Sequence, residues 1–144
     1  MKKLLIIILS VAALVASCDM YTDSNGALAG YWKLCSVDTI SGGGHLDMSR
    51  RSVFWAIQTD LLTLRDNDTA RILYVCRFDH TGQTLRVSQP RLYEKARGDS
   101  LLTHAGPIRH FGVNSLDEAF TIHSLRHDSL ILSSEILTLH FRRF

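Results

Sequence analysis

Seven histidines, three cysteines and fourteen acidic residues are the side chains of this 144-residue sequence that could do chemistry. Neutral imidazole is a common metal ligand, yet the spacings do not converge. His123 and His127 lie four apart on a segment that reads as a strand running into a turn, where i, i+4 pairs diverge. His104 and His110 flank the Gly106-Pro107 break, and neither Cys-x-x-Cys nor His-Glu-x-x-His occurs. No serine stands in Gly-x-Ser-x-Gly, and no cysteine has the His and Asn/Asp setting of a thiol protease. Gly42-Gly43-Gly44 lacks the Lys-Ser/Thr that would make it a phosphate loop. Asp60 and Glu135 are the acids nearest apolar strands, Asp60 most naturally on a solvent face, so no general acid–base pair stands out. Arg97-Gly98-Asp99 reads as a plain turn. The expectation is a protein that is not an enzyme, with no catalytic residues, no metal site and no cofactor.

The one reactive position with a clear context is Cys18. Lys2-Lys3, the apolar run Leu4 to Ala16 and the small residues Val15-Ala16-Ser17 follow the order of a secretory signal. The run holds thirteen residues with Ser10 inside it, shorter than the roughly 20 that span a bilayer. Val15-Ala16-Ser17-Cys18 resembles the lipobox of bacterial lipoproteins. That resemblance implies lipidation of Cys18 and a membrane anchor strong enough to hold permanently. Residues 1–17 are then the signal peptide, 18–27 a lipidated tether and 28–144 the folded domain. The expected destination is the cell envelope, the outer membrane ahead of the inner, with the domain exported from the cytoplasm.

Removing the signal leaves 127 residues, enough for one core. It also removes Lys2 and Lys3, so the formal +2 charge becomes an even balance of basic and acidic residues. No Lys/Arg block remains, which argues against nucleic acid as a partner. Cys35 and Cys76 are left as a candidate disulfide of an exported protein; small buried free thiols are the alternative.

The elements that must position these residues are strands. Gly30 to Val37 alternates with Trp32 and Leu34 on one face, and Ser41 to Gly44 breaks it. Ser52 to Arg65 is aromatic and β-branched, and Gln58-Thr59-Asp60 suggests one bent strand there. Ala70 to His80 and Thr84 to Val87 form a hairpin around Thr81-Gly82, and Gln89-Pro90 is expected to end it. Residues 91–109 read as a loop rim or lid. Ser115 to Glu118 has the form of a capping box, predicting one short helical turn. Phe120 to Leu125, Leu130 to Leu132 and Ile136 to Phe144 close the chain as a meander, whose edges need closure or a partner sheet. About eight short strands predict an all-β domain, either an eight-stranded antiparallel up-and-down barrel or a sandwich.

Three stretches favour the barrel through a resemblance. Leu28-x-Gly30-x-Trp32-x-Leu34, Val53-Phe54-Trp55 with Gln58 and Leu61-Leu62, and Phe120-Thr121-Ile122 to Leu139-His140-Phe141-Arg142 are similar to small lipocalin-like lipoproteins of Bacteroides-type bacteria. Gly30-Tyr31-Trp32 is similar to the Gly-x-Trp signature of lipocalins. The resemblance implies that Trp32 closes the barrel floor under a basic residue of the last strand, Arg143, with Arg142 as the alternative. It also implies a membrane-anchored binding module for a small apolar ligand, lined by Trp55, Tyr74 and Phe78. The competing expectation is a filled barrel that engages an envelope protein, as an interaction or inhibitor lipoprotein.

Overall fold

The computed structural model describes residues 25–69 and 72–144. Cys18, the signal segment and most of the tether lie outside the described residues. Among the described residues ten strands form in chain order: β1 (Gly30–Thr39), β2 (His45–Asp47), β3 (Val53–Gln58), β4 (Leu61–Asp66), β5 (Leu73–Thr81), β6 (Thr84–Leu92), β7 (Ser100–Leu101), β8 (Asp117–Leu125), β9 (Ser129–Ser133) and β10 (Leu137–Arg143). Eight of them, β1-β3-β4-β5-β6-β8-β9-β10, pair antiparallel in that order, and β10 returns to β1 through Trp32↔Arg143 and Leu34↔Phe141. The sheet is therefore a closed, eight-stranded antiparallel barrel. Closure removes the exposed edges that a meander would otherwise leave. The short strands β2 and β7 flank β1 and β6.

Period-two alternation sends one side of each strand inward. Trp32 and Leu34, Val53, Trp55 and Ile57, Leu62 and Leu64, Tyr74, Cys76 and Phe78, Leu85 and Val87, Phe120 and Ile122, Leu130 and Leu132, and Leu139 and Phe141 make one buried cluster. Leu28 joins it from a 3-10 turn, Gly26–Leu28, and Ile108 and Phe111 from a second 3-10 segment, Gly106–Phe111.

The structure corrects several local expectations. Ser52 to Arg65 is a hairpin rather than one bent strand: Gln58 pairs with Leu61, and the turn is Thr59-Asp60, with Thr59 at φ +54°. A two-residue turn of this kind favours Asn-Gly or Asp-Gly, so Thr-Asp hid it. Pro90 does not end β6, which runs on to Leu92. Its missing N–H falls at the irregularity opposite Cys76, where the β5–β6 register shifts, and its carbonyl accepts the Leu102 N–H at 2.9 Å. No helix starts at Ser115. Its hydroxyl and the Glu118 carboxylate instead accept the N–H groups of Asp117 (3.4 Å) and Asn114 (2.6 Å), shaping the entry to β8. The helical segment lies earlier, at 106–111, inside the stretch expected to be a loop rim.

Candidate functional site

The two poles of the barrel are shut by different means. At one pole the Trp32 indole is fully buried and donates from Nε1 to the Leu28 carbonyl at 2.9 Å. Arg143 lies directly opposite on β10, and its guanidinium carbon sits 4.3 Å from the centre of the Trp32 ring. The same guanidinium donates to the carbonyls of Ala29 (2.9 Å), Ala27 (2.6 Å) and His127. One cation thus satisfies three carbonyls from the turns that converge there while covering the indole face. Gly30 sits at φ +133°, a conformation that strains any side chain, and a Cβ there would displace the Arg143 guanidinium. Arg142 points outward and is exposed.

At the other pole the 3-10 segment Gly106–Phe111 is a plug. Trp55 donates from Nε1 to the Phe111 carbonyl at 3.0 Å, and the Phe111 ring packs edge-on against Tyr74, 6.0 Å between centroids. Trp55 also packs against Phe120 (5.5 Å) and Phe141 (5.1 Å). Gly112 then reverses the chain at φ +88°, pressed so closely on Leu139 that a Cβ would lie 2.6 Å from its Cδ2.

Beneath the plug sits Asp66, 1 % exposed. Its carboxylate accepts the Thr69 hydroxyl at 2.7 Å and the N–H groups of Asp68 (2.9 Å) and Thr69 (3.3 Å), with Arg51 and His110 at 3.5 and 3.4 Å. Burial raises its pKa, but these hydrogen bonds outweigh it and hold the carboxyl below its ordinary value. Burial lowers the pKa of His110 against the pull of Asp66. This network ties the β4–β5 turn to the plug. The sequence reading missed it, because neither Asp66 nor His110 stands in an apolar run.

The other predicted residues are dispersed. Trp55, Tyr74 and Phe78 share the packed interior, each under 8 % exposed. None of them lines the surface clefts at Arg65, at Asn114 to Ile136 or at Arg77 and Arg91. Cys35 and Cys76 are both free thiols, which corrects the candidate disulfide. Cys76 belongs to the interior of β5, whereas Cys35 lies on β1 outside the core cluster, with β3 and β4 between the two strands. Burial pushes the Cys76 thiol up to about 12, so it is an inert core group. Asp60 is an exposed turn residue 3.5 Å from Arg77, and Glu135 is exposed. Glu118 is half-buried, and burial raises its pKa against its hydrogen bond from the Asn114 N–H. Among the described residues no three His, Cys, Asp or Glu side chains gather as metal ligands. No helix among them is long and apolar enough to cross a membrane.

The outer wall carries a second feature. Phe54 points outward from β3 yet is only 6 % exposed, because Tyr31 and Phe144 cover it edge-on at 6.4 and 5.1 Å. Arg65 pairs with Phe54 across β3–β4, and Leu73 with Arg65 across β4–β5. A cleft of about 380 Å³ opens among Tyr31, Phe54, Phe144, Arg65 and Asn67. A second, of about 670 Å³, continues from Arg65 and Asn67 to Leu73, Tyr93 and Lys95.

A small closed barrel with an indole–guanidinium floor defines the lipocalin-like class of binding folds. The family described as Lipocalin-like domain matches residues 12–144, and the chain belongs to it. A crystal structure of a lipocalin-like protein from Bacteroides uniformis ATCC 8492 superposes with a TM-score of 0.64 at 21% identity, covering 83% of this chain and 100% of that one. An uncharacterized protein from Bacteroides eggerthii DSM 20697 superposes with a TM-score of 0.57 at 12% identity, over 81% and 98% of the two chains. Comparison with curated proteins returns no match.

Proposed function

We propose that this chain is a non-catalytic binding module of the cell envelope, held to the membrane, the outer one ahead of the inner, by lipid on Cys18. In this reading it engages its target through the outer wall rather than through the barrel interior. The packing of the pole around Trp55 carries the proposal. A ligand inside the barrel would have to part the Trp55 indole from the Phe111 carbonyl and break its ring contacts with Phe120 and Phe141. An eight-stranded barrel has an interior just wide enough for side chains to fill, and aromatic and aliphatic groups occupy this one. The lipocalin-like fold supports the binding role.

The test follows the Trp55 indole by NMR while laurate is titrated into the mature chain. The expected outcome is an unmoved, slowly exchanging Nε1–H. Stoichiometric uptake of laurate with a displaced Trp55 resonance would replace this reading by that of an interior ligand carrier. Anchoring is checked separately. Palmitate label and membrane fractionation are expected for the wild-type chain and lost in Cys18→Ala; an unlabelled, membrane-free wild-type chain would remove the anchor.

A further inference from the structure

We infer that the two joined clefts on the outer wall form one binding groove for an amphipathic anion, a flat apolar body carrying a carboxylate or sulfonate. This inference rests on the outer-wall reading above and names the chemistry of its ligand. Charge decides the class. Arg65 stands where the clefts meet, Lys95 stands in the larger one, and no Asp or Glu side chain of the described residues lines either. Among the described residues Arg65 and Lys95 have no acidic partner. Arg51 and Arg77, by contrast, are already engaged, Arg51 with Asp68 at 3.1 Å and Arg77 with Asp60 at 3.5 Å. An uncommitted guanidinium offers a planar fork of donors matched to a carboxylate or sulfonate, and Lys95 adds a mobile point charge.

Shape decides the rest. Tyr31, Phe54 and Phe144 meet edge to face, an arrangement that leaves ring surface for a flat apolar group beside Arg65. Phe144 is 82 % exposed and Tyr93 41 %, a cost in water that an apolar occupant would relieve. Cleft volumes of about 380 and 670 Å³ suit a small molecule. The groove lies wholly outside the sheet, on the opposite face of β3 from Trp55.

The experiment titrates 2-naphthoate, and separately the neutral 2-naphthalenemethanol, into the mature chain with Cys18→Ser, following backbone amide and indole resonances. Saturable shifts are expected at Phe54, Arg65, Leu73 and Phe144, with the alcohol at least about tenfold weaker. Arg65→Gln should weaken naphthoate at least about tenfold and Phe144→Ala at least about threefold; both positions are on the surface, and an otherwise unchanged amide spectrum verifies the fold. The proposal is overturned by groove shifts that do not saturate, by equal affinity for acid and alcohol, or by undiminished binding in Arg65→Gln. In those cases, with the indoles unmoved, the outer-wall reading stands without this ligand class. Saturable movement of the Trp55 indole instead would overturn both.

Discussion

Replacing Arg143 by Met tests the floor of the barrel. The substitution keeps an apolar stem over Trp32 but removes the charge. Lost are the hydrogen bonds to Ala27, Ala29 and His127 and the cation over the indole at 4.3 Å. A hydrogen bond from a charged donor contributes about 1.5–3 kcal/mol when buried, and a partly exposed cation–π contact about 1 kcal/mol. The Ala27 and His127 contacts are open to solvent, and water replaces them at little cost. The half-buried Ala29 bond and the indole contact dominate, giving an expected loss of about 2–3 kcal/mol. With a urea slope of about 1.5 kcal/mol/M, the midpoint should fall by about 1.3–2 M. Urea unfolding followed by tryptophan fluorescence measures this directly. Arg142→Met is the control, expected within about 0.5 kcal/mol of wild type because its side chain is exposed. Equal effects of the two substitutions, or a loss at Arg143 below about 0.5 kcal/mol, would refute the reasoning.

Three further outcomes are expected. Gly112→Ala combines a φ of +88° with a Cβ 2.6 Å from Leu139, and should cost about 2 kcal/mol by thermal melting, whereas Gly82→Ala, at φ +59° in open space, should cost about 1 kcal/mol or less. Asp66→Asn should cost about 2–3 kcal/mol at neutral pH. Because the folded pKa of Asp66 is depressed, its ionised form stabilises above the ordinary carboxylate value and that contribution fades as pH falls through the folded value. The gap between wild type and Asp66→Asn should therefore narrow in acid, and a gap independent of pH would count against the network. In a Cys18→Ala chain at pH 8, a thiol reagent should modify Cys35 in the native state and Cys76 only after unfolding; native labelling of Cys76, or a mobility change on reduction, contradicts the buried free thiol.

The barrel was legible because strands of a closed sheet alternate with period two, and Trp32, Leu34, Leu139 and Phe141 display that period plainly. What the sequence hid depends on contacts between distant residues. Thr59-Asp60 turns a hairpin without the usual turn chemistry. Pro90 survives in a strand only because the opposing register slips at Cys76. The plug at 106–111 carries Ile108 and Phe111 among polar residues, and nothing local says that they fill a barrel mouth. The aromatics expected to line a ligand cavity are the correct inward residues; whether inward aromatics leave space depends on what meets them from across the barrel. The outer groove was invisible for the same reason, since Tyr31, Phe54, Arg65 and Phe144 come together only by strand pairing.

The seam between β1 and β10 has a mechanical meaning. Gly30 begins one strand and Arg143 ends the other, so the chain enters and leaves the domain side by side. Tension applied between the segment before Gly30 and the end of β10 would load this ladder from its open end, peeling rungs in succession rather than shearing them together. The Arg143 clamp on Ala27 and Ala29 is the first latch in that path. Once it gives, the barrel should unfasten along β1–β10 at low force.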